Sequence, residues 1–171
     1  MEEEALYKLE NIPVPSLAVI SGWALGAGLG LAVACDCRIA DTTARLGLPV
    51  ARYGLMLSSH MLQRFVALIG PARTKELLYR GRWIDAHQAE RWGLVNVAVP
   101  PEILEETVQS WLRDILQGSA SAIRAAKRAV NLSLPVTISY GTSPVPPYFV
   151  DPEEFQKRVS DFVARKKALQ A

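Results

Sequence analysis

Apolar and polar positions alternate along this chain in a way that already separates short strands from helices. No charged residue falls between Glu10 and Asp36, yet the run is too irregular to be one element. Pro13 and Pro15 forbid a helix through its beginning. Leu17-Ala18-Val19-Ile20 then reads as a short buried strand, stopped by Ser21-Gly22. Ala27 to Cys37 supplies small and aliphatic residues suited to a helix buried on all sides. Gly22, Gly26 and Gly30 also make a small-xxx-small pattern that would suit paired membrane helices. The prolines and the strand-like stretch favour a strand, a glycine turn and a buried helix over a span. A glycine-rich turn opening a helix presents unpaired amides and a partial positive charge, able to bind a phosphate, a carboxylate or an oxyanion. Gly-Ala-Gly-Leu-Gly also serves close helix packing, and the residues alone leave both readings open.

Downstream, Ala44 to Gly47 and Val50 form short extended pieces broken by Pro49. Leu57, Met61, Leu62, Phe65 and Leu68 recur at helical spacing up to Ile69, and Gly70 ends that segment. Pro71 starts the next helix, with Leu77 and Leu78 inward and Gly81 closing it. Asp85 and Gln88 make a capping pair for a short helix that Gly93 terminates. Leu94 to Val99 reads as a buried strand before Pro100-Pro101.

Two amphipathic helices follow. One carries Ile103, Leu104, Val108, Trp111, Leu112, Ile115 and Leu116 on a single stripe. The other, Ser119 to Leu132, is expected to turn Ala122, Ala126, Ala129 and Val130 inward and Arg124, Lys127 and Arg128 outward. Prolines at 135, 144, 146 and 147 make residues 135–150 an irregular loop. Asp151-Pro152-Glu153-Glu154 restarts a helix with an N-cap, a proline at the first position and an acidic first turn. Its apolar face is Phe155, Val159, Phe162 and Val163. The elements add up to one α/β domain or part of one.

Composition narrows the function classes. Half of the 171 residues are hydrophobic and 21% are charged, which excludes disorder. Nineteen basic against seventeen acidic residues leave a charge of +2, too balanced to argue for nucleic acid. Cys35 and Cys37 have no second Cys or Cys/His pair to complete a zinc spacing, so no metal is expected. Two free thiols in an apolar stretch suggest core packing in a reducing compartment. The acidic start Met1-Glu2-Glu3-Glu4 stands where a signal peptide would be basic, so a cytoplasmic protein without a membrane span is expected.

Several segments, in order, resemble the crotonase (enoyl-CoA hydratase/isomerase) superfamily. Ile12-Pro13-Val14-Pro15 through Gly26-Ala27-Gly28 is similar to the family's P-V-I-A-A-V-N-G-x-A-x-G-G-G, and Leu31 to Ala40 to its L-A-x-x-C-D-x-x-x-A helix. Gly70 to Leu78 and Gly81 to Ala86 resemble G-x-x-x-A-x-E-L-x-x-T-G-x-x-x-x-A, and Ala89 to Asn96 resembles A-x-x-x-G-L-V. Phe162 to Lys167 is similar to the ending A-F-x-E-K-R. The resemblance covers the family's C-terminal two thirds. It implies an α/β fold, a crotonase-like spiral of ββα units that is N-terminally incomplete and carries C-terminal helices. Residues 1–100 would form the partial spiral core and 101–171 a helical trimerisation region.

The resemblance further implies an acyl-CoA thioester as the ligand, with coenzyme A entering only as part of the substrate and no separate cofactor. It implies homo-oligomers, trimers or hexamers. Two backbone amides of the family hold the thioester oxygen; one maps onto Ala27, between Gly26 and Gly28, and the other lies in a loop preceding residue 1. Either another copy or segment supplies those N-terminal strands, or the start is a truncation. The two glutamates that manage water and proton in hydratases fall at Gly30 and at Val50, and neither residue can move a proton. Ser58, Ser59 and His60 occupy the stretch where the family has a glycine-rich helix start near the acyl group. Ser58 and His60 are therefore candidate acid–base groups, with Ser59 and Val50 beside the ligand. The competing reading is capping by the serines and a solvent-facing imidazole. Arg52 and Tyr53 are positioned to hold an acyl carboxylate or to pair at the surface. Arg165 matches the family's C-terminal basic position, where it either touches a coenzyme A phosphate from a neighbouring subunit or belongs to a free helix end. His87 is expected to be solvated, and Asp36 and Asp41 to anchor loops.

Overall fold

The structure, a computed structural model, describes residues 2–133 and 151–168. After helix α1 (Glu2–Asn11), the chain lays down β1 (Leu17–Ile20), β2 (Trp23–Leu25) and α2 (Ala27–Ala34), then β3 (Cys37–Asp41) and β4 (Arg45–Gly47). A 3₁₀ turn at Pro49–Tyr53 leads into α3 (Ser59–Arg80), β5 (Trp83–Asp85), α4 (Ala86–Trp92) and β6 (Val97–Val99). Helices α5 (Leu104–Gln117), α6 (Ala120–Ser133) and α7 (Pro152–Ala168) complete it.

Strands β1 to β4 alternate between two sheets, as a spiral of ββα units requires; β5 then stays beside β4, and β6 returns to the first sheet. One sheet has the order β1-β3-β6, all parallel; the other runs β2-β4-β5, with β2 and β4 parallel and β5 antiparallel. Gly22, with φ 69°, makes the sharp step from β1 to β2 that a side chain would strain. Helix α2 sits between the layers, burying Leu29, Ala32, Val33 and Ala34 against Phe65, Leu46 and Leu48. At about 25 cal/mol per Å² of apolar surface, the burial of these side chains contributes to the fold's stability.

Four elements of the fold differ from the sequence expectations, each because of an identifiable contact or turn. The buried helix ends at Ala34 rather than running to Cys37, because the Cys37 amide donates to Ser16 O at 3.1 Å and starts β3. The strand expected from Leu94 begins only at Val97, since the amides of Leu94 and Val95 are both given to Ala89 O at the end of α4. Val50 lies in the 3₁₀ turn, not in an extended piece, because Pro49 starts that turn. Helix α6 is rotated from the expected face. Ile123, Lys127 and Asn131 are its half-buried row, while Ala122, Ala126, Ala129 and Val130 are exposed. Lys127 decides this: its Nζ reaches Asp36 Oδ2 at 2.8 Å and Val14 O at 2.9 Å, docking the helix by charge rather than by its alanines.

Elsewhere the expected punctuation holds. Gly70, at φ 75° and ψ 165°, breaks α3 into two helical pieces just before Pro71. Asp85 accepts from Gln88 N at 2.7 Å, and Asp151 from the amides of Glu153 and Glu154. On α5 only part of the apolar stripe is used: Val108 is buried with Leu104 and Trp111 against Ile39 and Val99, whereas Leu116 is exposed. The proline-rich loop expected at 135–150 lies outside the described residues.

Candidate functional site

Helix α2 begins at a turn whose amides are placed by β-strand geometry. Gly26 takes φ 54° and ψ −120°, a conformation that costs little only for glycine, and its own N–H is given to Gly47 O at 3.0 Å. That bond ties the turn to the end of β4. The first intrahelical bond runs from Gly30 N to Gly26 O at 2.9 Å, so the helix itself supplies no acceptor for the amides of Ala27, Gly28 and Leu29. Ala27 and Gly28 are exposed and Leu29 is fully buried. The arrangement presents Ala27 and Gly28 N–H groups, together with the positive end of the helix dipole, at the surface.

One helical turn further on, Gly30 is covered by Met61. A Cβ built on Gly30 would lie 2.8 Å from Met61 Cε and 2.9 Å from its sulfur. Met61 is itself 2% exposed, so the thioether fills this space completely. Val50 is likewise buried, in the core cluster with Leu48 and Leu57.

The start of α3 differs from its sequence reading in an informative way. Ser58 is the N-cap: its hydroxyl accepts from Met61 N at 3.2 Å and is buried. Ser59 is half-buried in the first turn. His60 does not face solvent. It is 7% exposed, and its Nε2 stands 3.6 Å from Glu10 Oε2 at the end of α1. Arg64, one turn on, binds both oxygens of the same carboxylate, through Nε to Oε1 and through Nη2 to Oε2 at 2.7 Å. Burial pushes the Glu10 carboxyl up, but the hydrogen bonds from His60 and Arg64 and the charge of Arg64 outweigh it and hold the group below its ordinary value. Arg64 Nη1 and Gln63 Oε1 are buried without a partner among the described residues. Glu10 as a partner was not legible in the sequence, because a carboxylate fifty-four residues from its arginine has no local spacing to betray it.

Other candidates fall where structure needs them. Asp36 Oδ2 accepts from the Ser16 amide at 2.7 Å, from its hydroxyl and from Lys127, fixing the entry to β1. Asp41 Oδ1 accepts from Thr43 N at 2.8 Å beside the Gly22 turn. His87 is more than half exposed. Arg165 is an exposed residue of α7, which packs on the 3₁₀ turn so that Arg52, Tyr53, Arg158, Asp161, Phe162 and Arg165 line one cavity of about 370 Å³. Among the described residues no group of three acidic, histidine or cysteine side chains is arranged for a metal, and no helix is long and apolar enough to cross a membrane.

The fold, with its exposed helix-start amides, agrees with what is found among known proteins. The enoyl-CoA hydratase/isomerase family model matches residues 2–167, and the chain belongs to that family, the crotonases. It is 40% identical over 134 residues to a probable enoyl-CoA hydratase of Mycobacterium tuberculosis, covering 78% of this chain and 52% of the relative. It is 36% identical over 137 residues to the enoyl-CoA isomerase/hydratase fer4 of Mycosarcoma maydis, covering 80% and 50%. Among solved structures, a putative enoyl-CoA hydratase from Streptomyces avermitilis superposes with TM-score 0.84 at 28% identity, over 96% of this chain and 60% of that one. The enoyl-CoA hydratase from Bacillus anthracis gives TM-score 0.76 at 32% identity, over 99% and 63%. The chain spans about half the length of the curated relatives it matches.

Proposed function

We propose that this chain binds an acyl-CoA thioester and polarises its carbonyl with the Ala27 amide, without the paired-glutamate hydration chemistry of the family. The observation that carries this reading is the turn at Gly26, which leaves the Ala27 and Gly28 amides without a helical acceptor and at the surface. An amide fixed at a helix start needs no reorganisation to stabilise an enolate-like oxygen, and one such donor contributes on the order of a hundredfold or more in rate. The second donor belongs to a loop that precedes residue 1 in the family.

Loss of hydration is supported by what fills the glutamate positions. Gly30 lies under the Met61 thioether and Val50 is an apolar, buried side chain, so neither place holds a carboxylate. In this reading His60 carries the proton instead, and Glu10 orients its imidazole. Ser58 caps α3, and Ser59 and Val50 border the acyl group. The chain works in the cytoplasm as a trimer or hexamer, its contacts made by residues 101–171. Exposed Leu112, Leu116, Val130 and Leu132 on α5 and α6 support that assignment.

A second reading, a family member that binds thioester or partner but catalyses nothing, is favoured by one observation. The His60 imidazole is buried against Glu10, beside a carboxylate already neutralised by Arg64. Turnover of a panel of enoyl-CoA and acyl-CoA thioesters by the wild type and His60→Ala separates the two. Turnover lost in His60→Ala supports the enzyme. Binding without turnover supports the second reading. No calorimetric binding of any thioester removes the enzyme and leaves only a partner-binding role for the second reading.

A further inference from the structure

The cavity between the 3₁₀ turn and α7 has a charge pattern that the thioester carbonyl does not need. Tyr53 and Phe162 form one wall, edge to face with ring centroids 5.7 Å apart. Three guanidinium groups, from Arg52, Arg158 and Arg165, share the lining with a single carboxylate, Asp161. Arg158 is spent internally, since its Nε donates to Glu154 Oε1 at 2.7 Å and its Nη1 to Arg52 O at 3.4 Å. Among the described residues Arg52 makes one side-chain hydrogen bond, a long one from Nη2 to Arg80 O at 3.5 Å. Arg165 has no hydrogen bond or ion pair among the described residues, Asp161 one turn away included. Two guanidinium forks therefore remain for an anion, against one carboxylate.

Position supplies the rest. Gly47 O is bonded to Gly26 N at the helix-start turn, and Arg52 follows Gly47 by five residues. Five residues span at most about 18 Å fully extended, and less through a 3₁₀ turn. The cavity lining thus begins no further than that along the backbone from the turn that presents Ala27. Planar guanidinium groups match a carboxylate bidentately, and the aromatic wall suits the methylenes leading to it.

Resting on the thioester-binding reading above, we infer that the preferred ligand is a dicarboxylic acyl thioester, its free carboxylate held between Arg52 and Arg165 against the Tyr53–Phe162 wall. The test is calorimetric binding of glutaryl-CoA and of valeryl-CoA, which has the same carbon count but no terminal carboxylate. Glutaryl-CoA binds the wild type about tenfold or more tightly than valeryl-CoA, as expected for a charge-assisted pair. Arg52→Gln and Arg165→Gln each shrink that ratio toward one, and the same holds for the thioesters of 3′-dephospho-coenzyme A. Equal affinity of the wild type for both thioesters overturns this inference alone. So does a variant that weakens both thioesters equally and loses its effect with the dephospho ligands, which assigns the arginines to the nucleotide phosphate. No binding of either thioester overturns the thioester reading as well. Melting temperatures of both variants close to the wild type establish that each is folded.

Discussion

The Met61 thioether occupies the space that any side chain on Gly30 would enter, with Cε 2.8 Å and sulfur 2.9 Å from an ideal Cβ. Glycine on α2 and methionine on α3 are therefore fitted to each other. In Gly30→Ala the end of the Met61 side chain gives way and alanine's better helix propensity of about 1 kcal/mol offsets the strain, whereas the larger Gly30→Leu overpacks the buried space and costs about 1–3 kcal/mol. Thermal denaturation checks this, and Met61→Ala in the same chain recovers a good part of the loss. A Gly30→Leu variant as stable as the wild type would contradict the contact.

Glu10 ties α1 to α3 through His60 and Arg64, and its carboxyl is held below the usual carboxylate value. A depressed carboxyl contributes stability that is complete above its unfolded value and is lost as pH falls through the lower folded value. The wild type therefore loses stability as pH drops below about 4.5, and Glu10→Gln removes part of that dependence. Glu10→Gln also leaves the buried Arg64 without its counter-charge, costing about 1–3 kcal/mol near neutral pH. Chemical denaturation at a series of pH values reads both effects.

Lys127 is the charge that sets the rotation of α6, through Asp36 and Val14 O. Lys127→Met keeps the stem but leaves the Asp36 carboxylate without its ammonium, for a loss of about 1–3 kcal/mol. Faster amide hydrogen exchange in α6 and at the Ser16 amide, with α3 unchanged, is the expected result.

Cys35 and Cys37 are half-buried thiols pushed above their ordinary value by burial, against a smaller opposing pull from Arg38. The thiolate is the reactive form, so both alkylate with iodoacetamide more slowly than free cysteine at pH 8. Mass spectrometry along a time course measures this, and both rates rise on unfolding.

Much of this fold was legible because local chemistry wrote it. Gly70 before Pro71, Asp85 with Gln88, and Asp151 with the amides of Glu153 and Glu154 appear where short-range spacing placed them. What spacing could not show depends on contacts between distant segments. The facing of α6 follows from Asp36, ninety-one residues before Lys127, so its alanine row misled. Of the two readings of His60, the solvent-facing one fails because Glu10, on another helix, covers the imidazole. The helix-start turn at Gly26–Gly28 was visible from its glycines, but the bond that aims it, Gly26 N to Gly47 O, comes from strand pairing between β2 and β4.

The most direct test of the account is the carbonyl stretch of a bound, carbonyl-labelled acyl-CoA thioester, compared between the wild type and Ala27→Pro by infrared difference spectroscopy. Proline is tolerated at the first position of a helix and deletes only the amide hydrogen there. The account predicts a carbonyl band shifted to lower frequency in the wild type and back toward its solution value in Ala27→Pro. A wild-type band at the solution frequency, or a shift that survives in Ala27→Pro, would contradict it.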